Sequence, residues 1–356
     1  MERELSNRRA VAAWLVGVAA MIFLMVVIGG VTRLTESGLS ITEWQPITGA
    51  VPPLTEADWQ HEFELYQRIP EAQTVHSGMT LAEFKQIFFW EYLHRLWGRL
   101  IGVVFAVPLI WFALRRRLPG GFGPRLAGIF GLGALQGAVG WWMVASGLVD
   151  RTDVRQYRLV AHLGLALVIY AAIVSTALDL LAPARPGIAP AALRRLATAL
   201  ALLAFVTILS GGFVAGLNAG LTYNTFPLMD GRLFPAGYFV ERPWWLNWFE
   251  NVTAVQFNHR LLAVSTFTLT LALWAYWRDR ATVPLRHALD LVMGAAVVQV
   301  SLGIATLLLV VPLPLAALHQ AGAVLVLTAV VALRHTARAA AREATTAVAA
   351  TATATR

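Results

Sequence analysis

There is no cysteine in the 356 residues, so disulfides, thiolate metal sites and iron–sulfur clusters are excluded. Charge is scarce as well, at 13% of residues, against 58% hydrophobic and a mean hydropathy of +0.63. That balance excludes an ordinary soluble domain and indicates a polytopic membrane protein. Acidic residues are fewer than basic ones, which leaves a net charge of +8. The placement of the basic residues excludes a nucleic-acid surface. They gather at alternate helix ends: Arg8 and Arg9; Arg115, Arg116, Arg117 and Arg125; Arg185, Arg194 and Arg195; Arg278, Arg280 and Arg286; Arg334, Arg338 and Arg342. This is the positive-inside pattern, and it predicts that both termini are cytoplasmic.

A membrane-spanning helix needs roughly 20 apolar residues. Eight runs qualify: 10–32, 88–114, 124–147, 158–181, 196–217, 253–277, 287–311 and 315–335. The first has charges before it but no small-residue cleavage site after it, so a retained helix is expected, not a signal peptide. The long loops fall on the opposite side from the arginines. The first, about 33–87, holds eight acids against Arg33, Arg68 and Lys85; the second, about 218–252, is rich in aromatics and proline, including Trp244, Trp245 and Trp248. Beyond 339 the Ala/Thr-rich tail has no apolar periodicity and is expected to be disordered.

The chain repeats itself. "GGVTRLTESGLS" (29–40) pairs with "GGFVAGLNAGLT" (211–222), and "EYLHRL" (91–96) with "QFNHRL" (256–261). "LQGAVG" (135–140) pairs with "VQVSLG" (298–303), and "RLVAHLGLAL" (158–167) with "LAALHQAGAV" (315–324). Four helices per copy is an even number, so the copies share one orientation. The expected fold is all-α: eight transmembrane helices as two four-helix bundles related by a pseudo-twofold along the membrane normal.

Of eight histidines, His61 and His76 fall in the first outer loop, and His287 and His335 at cytoplasmic helix ends; solvated roles are expected for these four. His94, His162, His259 and His319 fall inside the second, fourth, sixth and eighth apolar runs, each one to two turns from its outer start. Intramembrane ionisable residues are costly and usually face a partner or ligand in the bundle interior. Each could be hydrogen-bonded to a neighbouring helix. Two matching pairs in two repeats point instead to paired axial ligands of haem iron, a cofactor that bundles hold between facing helices. Zinc would want further N, S or O ligands. Gly98, Gly102, Gly164 and Gly322 lie near these positions and could admit a planar macrocycle. Arg95 and Arg260, which follow His94 and His259, could pair with haem propionates or reach to the interface.

The two copies differ where it matters chemically. Glu91 precedes His94 by three residues, on the same helix face, and Gln256 takes that place before His259. A carboxylate beside a haem can move protons and an amide cannot, so the first site reads as reactive and the second as an electron-transfer site. The alternative is that Glu91 simply sits where the helix dipole favours an acid.

With these residues in place, the chain resembles the haem A synthase family over roughly 10–335. The resemblance rests on the four histidines, "EYLHRLWGR", "GGVTRLTESGLSITEWQPITGAVPP" and "GLNAGLTYNTFPLMDG". The long first outer loop is similar to the proteobacterial and mitochondrial form; the cysteine pair of some members is missing here. The resemblance implies an enzyme that oxidises the C8 methyl of haem O through an alcohol to the formyl of haem A, with oxygen from water, for terminal oxidase assembly. It implies His94 and His162 as ligands of substrate haem, Glu91 as the acid needed for turnover, and His259 and His319 as ligands of a haem b cofactor. It divides the chain into 1–182 with the substrate haem site, 183–338 with the haem b site, and the tail 339–356. It implies a bacterial inner-membrane location, and partners in haem O synthase and oxidase assembly factors, with homo-oligomerisation left open. The rival reading is a bis-haem cytochrome passing electrons between quinone and an outer partner, which would use the histidines but not Glu91.

Overall fold

The computed structural model describes residues 2–149, 151–181 and 189–354, with side chains described as far as Arg338. Arg185 and the expected boundary at 182/183 lie outside the described residues. Among the described residues the chain is α-helical, with short 3-10 turns and no strand. In order the helices are α1 (Glu2–Leu34), α2 (Glu56–Tyr66), α3 (Pro70–Thr74), α4 (Leu81–Leu114), α5 (Gly123–Val144), α6 (Gln156–Leu181), α7 (Ala191–Gly216), α8 (Asn247–Glu250), α9 (Val252–Trp277), α10 (Val283–Leu308) and α11 (Leu313–Ala354). Every apolar run of the sequence falls on one of the long helices.

Seven of these are long and apolar enough to cross a membrane, among the described residues. The exception is α9. It has 26 residues, as do α6, α7 and α10, but Gln256, Asn258, His259, Arg260 and four threonines dilute its apolar character. Two boundaries differ from expectation. Helix α4 begins at Leu81 and not at 88, because Thr80 and Glu83 form a capping box: the Thr80 hydroxyl accepts from Glu83 N (3.3 Å) and Glu83 Oε2 accepts from Thr80 N (2.8 Å). His94 therefore lies about three and a half turns into its helix, not one to two. Helix α11 continues to Ala354, through the tail expected to be disordered. Alanine has the highest helix propensity, which outweighs the missing apolar periodicity there.

The helices pack in rings. Helix α1 packs on α4 and α6, and α5 on α4 and α6; likewise α7 packs on α9 and α11, and α10 on both of those. Helices α4 and α6 are thus opposite one another, as are α9 and α11. Contacts of α6 with α7, α1 with α11, and α6 with α11 join the two rings. One apolar core fills the arginine-rich end of the first ring, with Val11, Leu15, Val18, Leu126, Leu167 and Ile173 buried. A second, including Leu193, Leu200, Leu273, Leu289 and Leu333, fills the same end of the other. A third lies at the opposite end, where the long loop between α1 and α4 packs Phe63 and Tyr66 against Phe84. The histidines lie between.

Within that loop cluster His76 is not solvated. Its Nδ1 is 2.6 Å from the Tyr66 hydroxyl, which is 3.2 Å from Glu71 Oε2; its Nε2 faces Glu36 at 3.6 Å. Burial pushes the Glu71 carboxyl up from its ordinary 4.5 to about 8, with Asp153, Glu91 and Glu36 acting in the same direction and the Tyr66 hydrogen bond against it. A carboxyl with a raised folded-state pKa is neutral when folded and ionises more readily when unfolded. Its contribution is therefore fully present below about 4.5 and lost as pH rises towards 8. Protease protection of residues 55–80 should fall across that window. In Glu71→Gln it should be flat with pH; an unchanged pH profile would show that Glu71 is not the group responsible.

Candidate functional site

His94, His162, His259 and His319 each rest on a glycine of the long helix before. A Cβ on Gly29 of α1 would stand 2.8 Å from His94 Cε1, and one on Gly140 of α5 2.9 Å from His162 Cε1. Gly211 of α7 meets His259 at 3.1 Å and Gly303 of α10 meets His319 at 2.8 Å in the same way. Any larger residue would displace the ring. The glycines named from sequence do not do this: a Cβ on Gly98 would meet Met25, one on Gly164 Leu209 and one on Gly322 Gln299, while Gly102 faces open space. Those were chosen as neighbours along the histidine's own helix, whereas the contact comes from the adjacent helix. The signal was present in the repeated landmarks, since "GG" at 29 and 211 and the last glycine of "LQGAVG" and "VQVSLG" are these cradles. The second glycine of each pair faces the other half of the molecule: Gly30 abuts Gln320 of α11, and Gly212 abuts Val160 and Leu163 of α6.

The four side chains are largely but not fully buried. His94 and His162 are close enough to interact electrostatically, as are His259 and His319. The Gln136 amide nitrogen is 3.1 Å from His162 Nδ1, and the Gln299 amide nitrogen 3.1 Å from His319 Nδ1; each also donates to the backbone oxygen of its histidine at 3.0 Å. Both glutamines come from the duplicated "LQGAVG" and "VQVSLG" segments.

Glu91 is buried and fully engaged. Its Oε1 accepts from Arg95 Nε (3.0 Å) and Nη2 (2.7 Å), and its Oε2 from the Ser40 hydroxyl (2.8 Å) and Ile41 N (2.7 Å). Gln256 occupies the equivalent place with the polarity reversed. Its amide nitrogen donates to Ala219 O (2.9 Å) and Thr222 O (2.6 Å), and its oxygen accepts from Arg260 at 3.3 Å. Arg95 also donates to Ile41 O and Glu43 O, and Arg260 to Tyr223 O and Thr225 O. Those loop carbonyls are matched between the copies, one and three residues beyond the ends of "GGVTRLTESGLS" and "GGFVAGLNAGLT". The arginines that the sequence offered to propionates thus each use two donors to strap a long loop onto α4 or α9. Arg99 and Tyr92 add to the strap in the first half, bonding to Gln45 O, Pro46 O and Ala50 O.

Of the histidines given solvated roles, His61 and His287 are exposed. His335 is not: its Nδ1 lies 3.2 Å from Asp179 Oδ1, with the side chain 15% exposed.

No group of three or more His, Cys, Asp or Glu residues able to hold a bare metal ion occurs among the described residues. A pair of imidazoles per half, with no third ligand, suits the two axial positions of haem iron better than tetrahedral zinc. The glycine cradles set the rings at helix–helix contacts facing the interior.

The model of the cytochrome oxidase assembly protein family COX15-CtaA matches residues 12–331. The chain belongs to this family. Among curated relatives, the heme A synthase of Nitrosospira multiformis is 52% identical over 94% of this chain and 95% of its own length. That of Rhodospirillum centenum is 56% identical over 92% and 88%, and that of Parvibaculum lavamentivorans 52% identical over 92% and 94%. The family match spans both halves of the site, from before Gly29 to beyond His319.

Proposed function

We propose that this protein oxidises the C8 methyl of haem O to the formyl group of haem A, with substrate held between His94 and His162 and a resident haem b between His259 and His319. The observation that carries the reading is a site built twice on matching glycine cradles and arginine straps, with a carboxylate in only one copy. Converting a methyl and water to a formyl group releases four electrons and four protons. Haem b supplies one-electron transfer when bound. Glu91 is the group of this chain suited to proton exchange beside the substrate. The Ser40 hydroxyl, which reaches both Glu91 Oε2 and Ser37 O (3.0 Å), can pass a proton by rotating. Arg95 holds the carboxylate in place, and Gly29 and Gly140 set the ligand rings.

The architecture follows the same duplication. The chain crosses the membrane eight times, with α9 as the eighth span, in two four-helix bundles related by a pseudo-twofold along the membrane normal. Support comes from the two matching rings of helices and from the matched Arg95 and Arg260 straps. Arginine placement puts both termini in the cytoplasm of a bacterial inner-membrane protein. The substrate comes from a haem O synthase and the product goes to terminal oxidase assembly.

Extraction of haem from the purified protein tests this directly. Haem O or haem A beside haem b is the expected result; haem b alone would favour an electron-transfer cytochrome. The cradles give a second test. Gly303→Ala places a methyl 2.8 Å from His319, and Gly211→Ala places one 3.1 Å from His259. Both should lower the ratio of haem b to protein, Gly303→Ala more severely. Full occupancy in Gly303→Ala would show that ring position does not depend on the glycine.

A further inference from the structure

The four histidines differ at Nδ1. His259 Nδ1 lies 2.8 Å from Ser210 Oγ, and that hydroxyl donates its own proton to Thr207 O at 2.7 Å. Ser210 therefore accepts from Nδ1–H, which fixes the tautomer and leaves the Nε2 lone pair free for a metal. The Gln136 amide nitrogen lies 3.1 Å from His162 Nδ1 and 3.3 Å from its Nε2, and the Gln299 amide nitrogen 3.1 Å from His319 Nδ1, so neither supplies an acceptor at Nδ1. His94 Nδ1 is buried and has no partner.

The cause is one residue. Ser210 immediately precedes Gly211, the cradle of His259. The residue preceding Gly29, the cradle of His94, is Ile28, apolar and buried. The nearby hydroxyl of Thr32 is committed to Ile28 O (2.9 Å) and Trp90 O (3.3 Å). Gly29 and Gly211 both face Cε1 of their rings, at 2.8 and 3.1 Å from a built Cβ, so the two histidines are seated similarly and differ in the hydrogen bond.

We infer that His94 is the exchangeable ligand of the substrate site, and that Ile28, standing where Ser210 stands in the other half, makes it so. The inference rests on the proposed function. A hydrogen bond at the distal nitrogen of a ligating histidine orients the ring and strengthens it as a ligand, and its loss typically costs about 10–100-fold in metal affinity. A resident cofactor needs that hold, whereas a substrate that must leave as product every turnover does not. On release the Nε2–iron bond breaks with its electron pair kept by the imidazole, so no oxidant or reductant is consumed.

The test compares Ile28→Ser, Ile28→Val and Ser210→Ala as purified proteins. Haem loss to excess apomyoglobin is followed over time, and the haem remaining is typed by extraction. Ile28→Ser should slow loss of haem O or haem A by about 10–100-fold relative to wild type and to Ile28→Val. Haem b loss should not change in either. Ser210→Ala should speed haem b loss by a similar factor and leave the other haem untouched. Slower release is not an effect that misfolding produces. Equal release rates in Ile28→Ser and Ile28→Val would overturn the inference while leaving the function intact. Haem content indifferent to alanine at all four histidines would overturn the function itself.

Discussion

Glu91→Gln should lower haem A formation by about 10²–10⁴-fold, the range for loss of a positioned acid–base group. Glutamine is nearly isosteric with glutamate, so a structurally silent change would be the simple expectation. The hydrogen bonds correct that expectation. A glutamine at 91 can still accept from Arg95, and Ser40 can turn to accept from the new amide. Ile41 N, now 2.7 Å from Glu91 Oε2, would then face an N–H group and lose its partner. A buried donor left unpaired costs about 1–3 kcal/mol. The natural glutamine at 256 avoids this because its loop presents Ala219 O and Thr222 O where the first loop presents the Ser40 hydroxyl and Ile41 N–H. Two quantities should therefore be measured together: haem composition of cells expressing the variant, and thermal stability of the purified protein. A loss of stability in that range with a far larger loss of haem A identifies proton chemistry. Normal haem A would make Glu91 a strut for the loop and nothing more.

The glutamate–glutamine pair also marks how far the sequence could be read. Alignment of the repeats found the Glu/Gln pair, the four histidines and the two loop segments, because each is a residue type in a position that apolar helices rarely tolerate. It did not reveal that acid and amide are each matched to a loop of opposite hydrogen-bonding polarity. Backbone N–H and C=O groups carry no letter in a sequence. The glycine cradles were missed for a related reason: a lone glycine in a membrane helix has many uses, and only the neighbouring helix shows which face it presents. The Tyr66–His76–Glu71 cluster was invisible because its members span a loop that folds back on itself, and proximity there is set by the packing of Phe63, Phe84 and Phe88. The capped start of α4, in contrast, was legible as Thr80 followed by Glu83. The apolar run that begins at 88 drew attention away from it.

His259→Ala should abolish retention of haem b in the second half, and with it the folding stability that haem b confers. A ligand that binds only the native state stabilises it by RT ln(1 + [L]/Kd), about 4 kcal/mol at a thousandfold excess over Kd. What the side chain itself contributes is smaller. Ser210 keeps its bond to Thr207 O when the imidazole is removed, so no buried hydroxyl is stranded. Gly211 loses only a ring neighbour. The variant should therefore melt well below haem-loaded wild type but close to wild type stripped of haem, and this comparison separates cofactor loss from packing loss. His319→Ala should behave alike, except that Gln299 loses its contact with Nδ1 while keeping the bond to the backbone oxygen at 319. Substrate haem bound in the first half should survive in both, since His94 and His162 belong to the other ring of helices. A His259→Ala protein with full haem b and an unchanged midpoint potential would remove His259 from the ligand set. The equivalence of the two halves, on which the whole assignment depends, would then fail at its most direct test.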